Sequence, residues 1–164
     1  MTKPNPKPKK ILAIASGGGH WIQLLRLRPA WSGLQVTYVT TTPDFKEELL
    51  QDARERGEPV PDYAVLNLAN RWNKLQMIRL ILNVIVLVLR VRPHYIITTG
   101  AAHGYFALRV GKALGCRTIW VDSIANSEEL SLSGQLAKRH ADVWLTQWEH
   151  LARPDGPDFQ GAVL

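Results

Sequence analysis

The sequence predicts an α/β protein, a Rossmann-like parallel sheet with helices on both faces. Two observations carry this expectation. Short apolar, β-rich segments recur with helical stretches between them, the alternation that produces parallel strands joined by crossover helices. The 164 residues, 46% hydrophobic and 21% charged, suit one folded domain, which at this size buries roughly two thirds of its unfolded surface. We therefore expect a flexible basic arm over 1–10 and a single domain over 11–164.

The arm reads MTKPNPKPKK, with Lys3, Lys7, Lys9 and Lys10 set among prolines, a pattern that favours extended, solvated chain. It supplies part of the net charge of +6, which suits nucleic acid, an anionic membrane surface or a phosphorylated substrate equally well. The apolar residues Ile11 to Ala15 that follow are too few for a secretory signal and run straight into glycines.

Strands are expected at KILAIAS, LQVTYVTT, YAVLNL, HYIITTG, RTIWVDS and DVWLTQ, with helices near 20–29, 44–56, 72–91, 104–115 and 133–140. Thr42-Pro43-Asp44, with Glu47 three residues after Asp44, has the form of a capping box opening the second helix. The most apolar stretch, Leu75 to Val91, falls short of a membrane span: Arg79 and Asn83 interrupt it, and its longest unbroken apolar run is Val84 to Leu89. On a helix Gln76, Arg79, Asn83 and Arg90 form one narrow polar stripe. The wide apolar remainder suits a buried crossover helix, or one whose outer face meets a membrane interface with Arg79, Arg90 and Arg92 near lipid phosphates.

In an open parallel sheet, ligands bind outside the carboxyl ends of the strands. That rule selects SGGGH, TTTPD, TTGAAHG and DSIANSEELSLSG, which should cluster at one edge. Gly17, Gly18 and Gly19 let the backbone approach a ligand closely, and the start of the next helix favours an anion such as phosphate or diphosphate. The loop matches neither the dinucleotide pattern G-x-G-x-x-G nor the P-loop. His20 at a helix start has its cationic form disfavoured by the dipole. Three roles stay open for it here: general base, donor to phosphate, or helix cap. A second backbone anion site is possible at Gly100 to Gly104, beside His103.

Asp122, Asn126, Glu128 and Glu129 follow the fifth strand, where a carboxylate has sugar hydroxyls or a proton to bind, or simply opens a solvated helix. His94, His140 and His150 lack metal-ligand spacing, and the single cysteine, Cys116, reads as a core residue that excludes an internal disulfide. Trp21, Trp72, Trp144 and Trp148 suit core or interface. Nothing resembles a nucleophile elbow, a zinc site or a nucleic-acid module, so no metal and no nucleic-acid partner is expected.

SGGGHWIQLLRL, RPHYIITTGAAHGYFALRVGKALGCRTIWVDS, SLSGQLAKRHADVWLTQWEHL and FQGAVL, in order and spacing, resemble the oligosaccharide-biosynthesis glycosyltransferase subunits. These are typified by the membrane-anchor subunit of the dolichyl-diphosphate N-acetylglucosaminyltransferase, with bacterial relatives in exopolysaccharide and capsule assembly. The resemblance spans about residues 9–164. It implies the N-terminal, acceptor-binding half of a two-Rossmann-domain (GT-B) glycosyltransferase, with the UDP-sugar on a separate donor subunit and no cofactor on this one. The partners implied are that donor subunit, docked through the tail DFQGAVL to form a heterodimer, and a lipid-diphosphate-linked acceptor.

Carried over residue by residue, the resemblance places Ser16, Gly17, Gly18, Gly19, Thr99, Gly100, His103, Ser123, Asn126, Ser131, Ser133 and Gly134 at the acceptor or its diphosphate. His20 is the first candidate base for an inverting transfer and Asp122 the second. Relatives usually carry Glu where Asp122 stands, and many carry Arg where Asn126 stands. Eukaryotic relatives begin with a membrane anchor where this chain has the Lys/Pro arm, so the expected location is cytoplasmic and peripheral on the inner face of the membrane. The alternative is a non-catalytic subunit that recruits a catalytic partner to that membrane.

Overall fold

The computed structural model describes residues 8–67 and 73–163. Seven parallel strands form one sheet in the order β3-β2-β1-β4-β5-β6-β7. They are β1 (Lys10–Ile14), β2 (Gln35–Thr40), β3 (Asp62–Val65), β4 (Tyr95–Thr98), β5 (Arg117–Val121), β6 (Val143–Thr146) and β7 (Asp158–Phe159). The helices are α1 (Gly19–Arg26), α2 (Lys46–Glu55), α3 (Lys74–Val91), α4 (Ala101–Ala113) and α5 (Leu132–Ala137). The expected doubly wound fold is the observed one. The direction of winding reverses between β1 and β4, which places the crevice of such a sheet between the loops that follow those two strands.

Alternation along the strands feeds two cores. Ile11, Ala13, Val36, Tyr38 and Ile97 face α1 and α2, packing on Trp21, Leu24 and Leu49. Leu12, Ile14, Val39, Ile96 and Trp120 face the other way, onto Leu80, Val84 and Val88 of α3, Ala107 and Leu108 of α4, and Ala137 of α5. Each buried aliphatic side chain in these layers contributes about 1.5–3 kcal/mol. Cys116 is buried, with Sγ donating to the Pro93 carbonyl at 3.1 Å.

The core on the α1 side thins toward one sheet edge. By register, Ile119 and Val121 pair with Val143 and Leu145 on the α1 face. Ile119 still packs against that core and Val121 is buried, whereas Val143, one strand further out, is 42% exposed.

Several local expectations are corrected. Strand β1 begins inside the expected arm: the Lys10 N–H donates to His94 Nδ1 at 3.0 Å and Lys9 Nζ to the Tyr95 hydroxyl at 3.1 Å. The rest of the arm, 1–7, lies outside the described residues, as do Trp72 and the expected start of its helix. Helix α3 opens at Lys74, where the Asn73 side chain accepts from the Gln76 N–H, and ends at Arg92 in the left-handed conformation (φ 50°).

No capping box opens α2. Thr42 Oγ1 instead accepts the Asp44 N–H at 3.3 Å and donates to the Asp44 carboxylate at 2.5 Å, so the turn closes on itself and α2 begins at Lys46. Helix α4 starts three residues before the expected 104, directly after Gly100. Strand β7, only two residues long, had no sequence signature.

Candidate functional site

The four loops selected from the sequence meet at the carboxyl edge of the sheet, joined by side-chain hydrogen bonds. The Gly17 N–H donates to Thr41 Oγ1 (3.1 Å), Thr99 Oγ1 donates to the His20 carbonyl (2.7 Å), and Gln23 Nε2 donates to Ser123 Oγ (3.2 Å). The chain leaves β1 through Gly18, at φ 77°, and turns at once into α1. It leaves β4 through Gly100, at φ 136°, and Ala101, at φ 66°, into α4. Both helices therefore present their first, unbonded N–H groups to the crevice at the winding reversal.

His20 stands between them. Its Nδ1 and Ser16 Oγ are 2.8 Å apart. Its ring lies against Gly100, where a Cβ would fall 2.9 Å from Cδ2 and Nε2. Burial lowers the His20 pKa from its ordinary value, and the Asp122 charge opposes that shift. The net shift favours the neutral ring, the form in which an imidazole accepts a proton.

Other expected ligand residues turn out to lie beneath the loops. Thr99, with no exposed area, anchors the His20 backbone. His103 is 5% exposed; it hydrogen-bonds the Ala15 carbonyl, and its Nε2 is buried without a partner. Burial, with His20 nearby, pushes its pKa down to about 4. These two therefore shape the loop rather than face the crevice, contrary to their expected direct contact with a diphosphate.

Asp122 is likewise enclosed, at 1% exposure. Oδ1 accepts from Trp120 Nε1 (3.1 Å) and Ser131 Oγ (2.7 Å); Oδ2 accepts from Asn126 Nδ2 (3.1 Å) and the Ser131 N–H (3.0 Å). With all four lone-pair positions taken, Asp122 is suited to holding the loop and not to the expected role of second base.

Asn126 is committed to that carboxylate, and Ser123 to Gln23 and the Ala125 N–H. Ser131 Oγ also accepts the Gly134 N–H at 2.9 Å, opening α5. A Cβ at Gly134 would fall 2.5 Å from Asp122 Oδ1, which explains the small residue there. Ser133 is half-buried in the first turn of α5, and Glu128 and Glu129 are exposed. Among the described residues, no group of three or more His, Cys, Asp or Glu side chains is placed to hold a metal ion.

Two buried glutamines had not been singled out. Gln23 on α1 and Gln147 after β6, 6% and 3% exposed, meet with Gln147 Nε2 donating to Gln23 Oε1 at 2.7 Å. The available signal was a polar residue between Trp21 and Leu24 on an inward helix face.

The three expected membrane arginines are strung along α3. Arg79 and Arg90 are about 16 Å apart along the axis at 1.5 Å per residue. Buried Leu80, Val84 and Val88 mark the packed side of α3, whereas Leu75, Ile78, Leu82, Val86 and Leu89 are 50–79% exposed. The helix thus has a narrow packed face and a second, open apolar stripe. Among the described residues no helix is long and apolar enough to cross a membrane.

This architecture is one Rossmann-like half of the GT-B type, with its crevice built from two glycine-bearing loops. Solved structures of similar fold include Acinetobacter baumannii MurG (TM-score 0.66, 14% identity, 94% of this chain and 45% of that one). A second is UDP-N-acetylglucosamine 2-epimerase from Rickettsia bellii (TM-score 0.61, 16% identity, 95% and 45%). The chain thus spans just under half the length of these proteins.

Residues 71–161 match the family described as Oligosaccharide biosynthesis protein Alg14 like, and the chain belongs to that family. Its relatives include the UDP-N-acetylglucosamine transferase subunit ALG14 of Yarrowia lipolytica, 25% identical over 93% of this chain and 79% of the relative. The protein of the same name from Eremothecium gossypii is 27% identical over 89% and 75%.

Proposed function

We propose that the chain is the acceptor-binding subunit of a two-component inverting glycosyltransferase that moves a sugar, N-acetylglucosamine foremost, from a UDP-sugar to a lipid-diphosphate-linked acceptor. The observation that carries this reading is the convergence of two helix N-termini on a neutral His20 at the winding reversal of the sheet. The N–H groups after Gly18 and Gly100 favour the acceptor diphosphate.

In the tautomer whose Nδ1 donates to Ser16 Oγ, His20 Nε2 is left to take the proton of the acceptor hydroxyl. The freed oxygen then attacks the anomeric carbon from the face opposite UDP. The carbon–oxygen bond to UDP breaks, and UDP departs with the bonding electrons.

We assign the donor to a partner, a reading supported by the relatives' names as subunits of a UDP-N-acetylglucosamine transferase. The exposed outer part of the sheet at Val143 of β6, next to the segment after β7, is the surface we assign to that partner. A parallel sheet is ordinarily covered on both faces. The open apolar stripe of α3, with Arg79, Arg90 and Arg92, suits a helix lying flat on the anionic cytoplasmic leaflet.

The same stripe favours a second reading, a subunit that only recruits a catalytic partner to the membrane. Co-expression with a donor-half partner, followed by transfer assays from UDP-N-acetylglucosamine, UDP-glucose, UDP-galactose and UDP-glucuronate, tests both. Transfer by the pair and by neither chain alone supports the half-enzyme. Full transfer with His20→Ala assigns the chemistry to the partner, and transfer by this chain alone overturns the two-component reading.

A further inference from the structure

Gln147 lies at the centre of a closed hydrogen-bond relay. Its Oε1 accepts the Val163 N–H at 3.0 Å, and its Nε2 donates both to Gln23 Oε1 at 2.7 Å and to the Asp122 carbonyl at 2.9 Å. Gln23 Oε1 also accepts the Ile124 N–H at 3.0 Å, while Gln23 Nε2 donates to Ser123 Oγ at 3.2 Å. One residue after Gln147, Trp148 Nε1 donates to the Ile124 carbonyl at 2.8 Å; further on, His150 Nε2 lies 2.6 Å from the Ser127 carbonyl. Val163 is held from its other side too, its carbonyl accepting from Arg26 at 3.3 Å. The segment after β7 thereby touches α1 directly and, through one amide, the loop after β5.

The relay has a direction. A primary amide offers donors at one end and an acceptor at the other. Gln147 donates twice toward the site, and Val163 supplies the N–H that its oxygen then faces. Without that N–H a buried acceptor is left unmatched, and the amide is held by its two donations alone.

We propose that Gln147 is a positioning residue for the acceptor site, oriented by the Val163 N–H and acting through Gln23 to set α1 against the loop that begins at Asp122. The inference rests on the acceptor-binding reading for its purpose, not for its geometry. It makes the backbone at position 163 a working part of a site whose glycine loop lies more than 140 residues earlier.

The test uses the full chain. Val163→Pro removes the N–H and keeps an apolar residue, whereas Val163→Ala trims the side chain and keeps the N–H. Gln147→Met keeps the length of the side chain and removes its amide. Three quantities are read: exchange of the Ile124 amide hydrogen, the side-chain amide resonance of Gln23, and the affinity for farnesyl diphosphate.

Val163→Pro and Gln147→Met should each speed exchange at Ile124 by about tenfold, shift the Gln23 resonance, and weaken farnesyl diphosphate by about fivefold, with the double variant no worse than either single one. Val163→Ala should stay within twofold of the parent in all three. An unmoved Gln23 resonance in Val163→Pro, or equal effects of Pro and Ala, overturns the relay. A relay that breaks while affinity holds overturns the positioning role. If the parent chain itself fails to bind farnesyl diphosphate, the acceptor reading falls, and the exchange and resonance data still decide whether the relay exists.

Discussion

The imidazole of His20 lies against the bare α-carbon of Gly100, and the two residues, 80 positions apart, close the crevice between β1 and β4. A methyl at position 100 would fall 2.9 Å from the ring, at a backbone φ of 136° that side chains rarely adopt. Gly100→Ala should therefore cost about 1–3 kcal/mol in urea unfolding and displace His20, lowering transfer in the assembled enzyme at least tenfold. Gly19→Ala is the contrast: its Cβ would meet nothing nearer than Gln23 Nε2 at 4.0 Å, so stability should hold near the parent value. Equal losses from the two would separate His20 from any role in closing the crevice.

Acid should destabilise the fold through His103 well before its carboxylates protonate. Burial, and secondarily the charge of His20, lower its pKa from 6.5 to about 4, against a hydrogen bond to Ala15 that raises it. Because the unfolded chain takes up the proton first, stability is complete above about pH 6.5 and falls as the pH drops toward 4. The full loss corresponds to roughly 3 kcal/mol. His20, also lowered by burial, adds a loss of the same sign. His103→Phe should flatten most of this slope in urea melts taken between pH 7 and 4, and an unchanged slope would assign it elsewhere.

Asp142 works lower on the pH scale. Its hydrogen bond with Lys112 is the largest influence holding its pKa down at about 2, and the Thr118 N–H (2.9 Å) and hydroxyl (3.0 Å) add to it. This contribution is present above about pH 4 and disappears as the pH falls toward 2. Asp142→Ala should cost about 1–3 kcal/mol, since the Thr118 N–H loses its acceptor. Lys112→Met, at a side chain 43% exposed, should cost under about 1 kcal/mol. Thermal melts of the two variants check the order.

The outer stripe of α3 is tested with anionic vesicles. Leu82→Glu and Val86→Glu, at positions 56% and 63% exposed, should leave the melting temperature near the parent value and release the protein from phosphatidylserine-containing vesicles in a sedimentation assay. Replacing Arg79, Arg90 or Arg92 by Ala should weaken binding by about 1 kcal/mol each, an effect that shrinks with added salt. Parent protein that stays in the supernatant would remove the membrane from the proposed function.

The sheet was legible because a two-faced parallel core writes itself as repeated apolar runs, and the loops were legible because ligand edges in such sheets follow from topology. The roles of individual loop residues were not. Asp122 and His103 look like ligands in a linear reading, yet one has its lone pairs filled by Trp120, Asn126 and Ser131, and the other is covered by the loop it supports. Hydrogen-bond saturation depends on residues remote in sequence, as Gln23 and Gln147 show across 124 positions. The Thr42–Asp44 turn failed as a capping box for a local reason: its hydroxyl bonded inside the turn before a helix could use it.

The open stripe of α3 ties the condition of this polypeptide to its company. Chains made in excess of whatever covers Leu75, Leu82 and Val86 would find one another instead, because an uncapped apolar surface buries itself on its nearest copy. Overproduction should therefore yield aggregate, and Leu82→Glu with Val86→Glu should keep the same quantity of protein in solution.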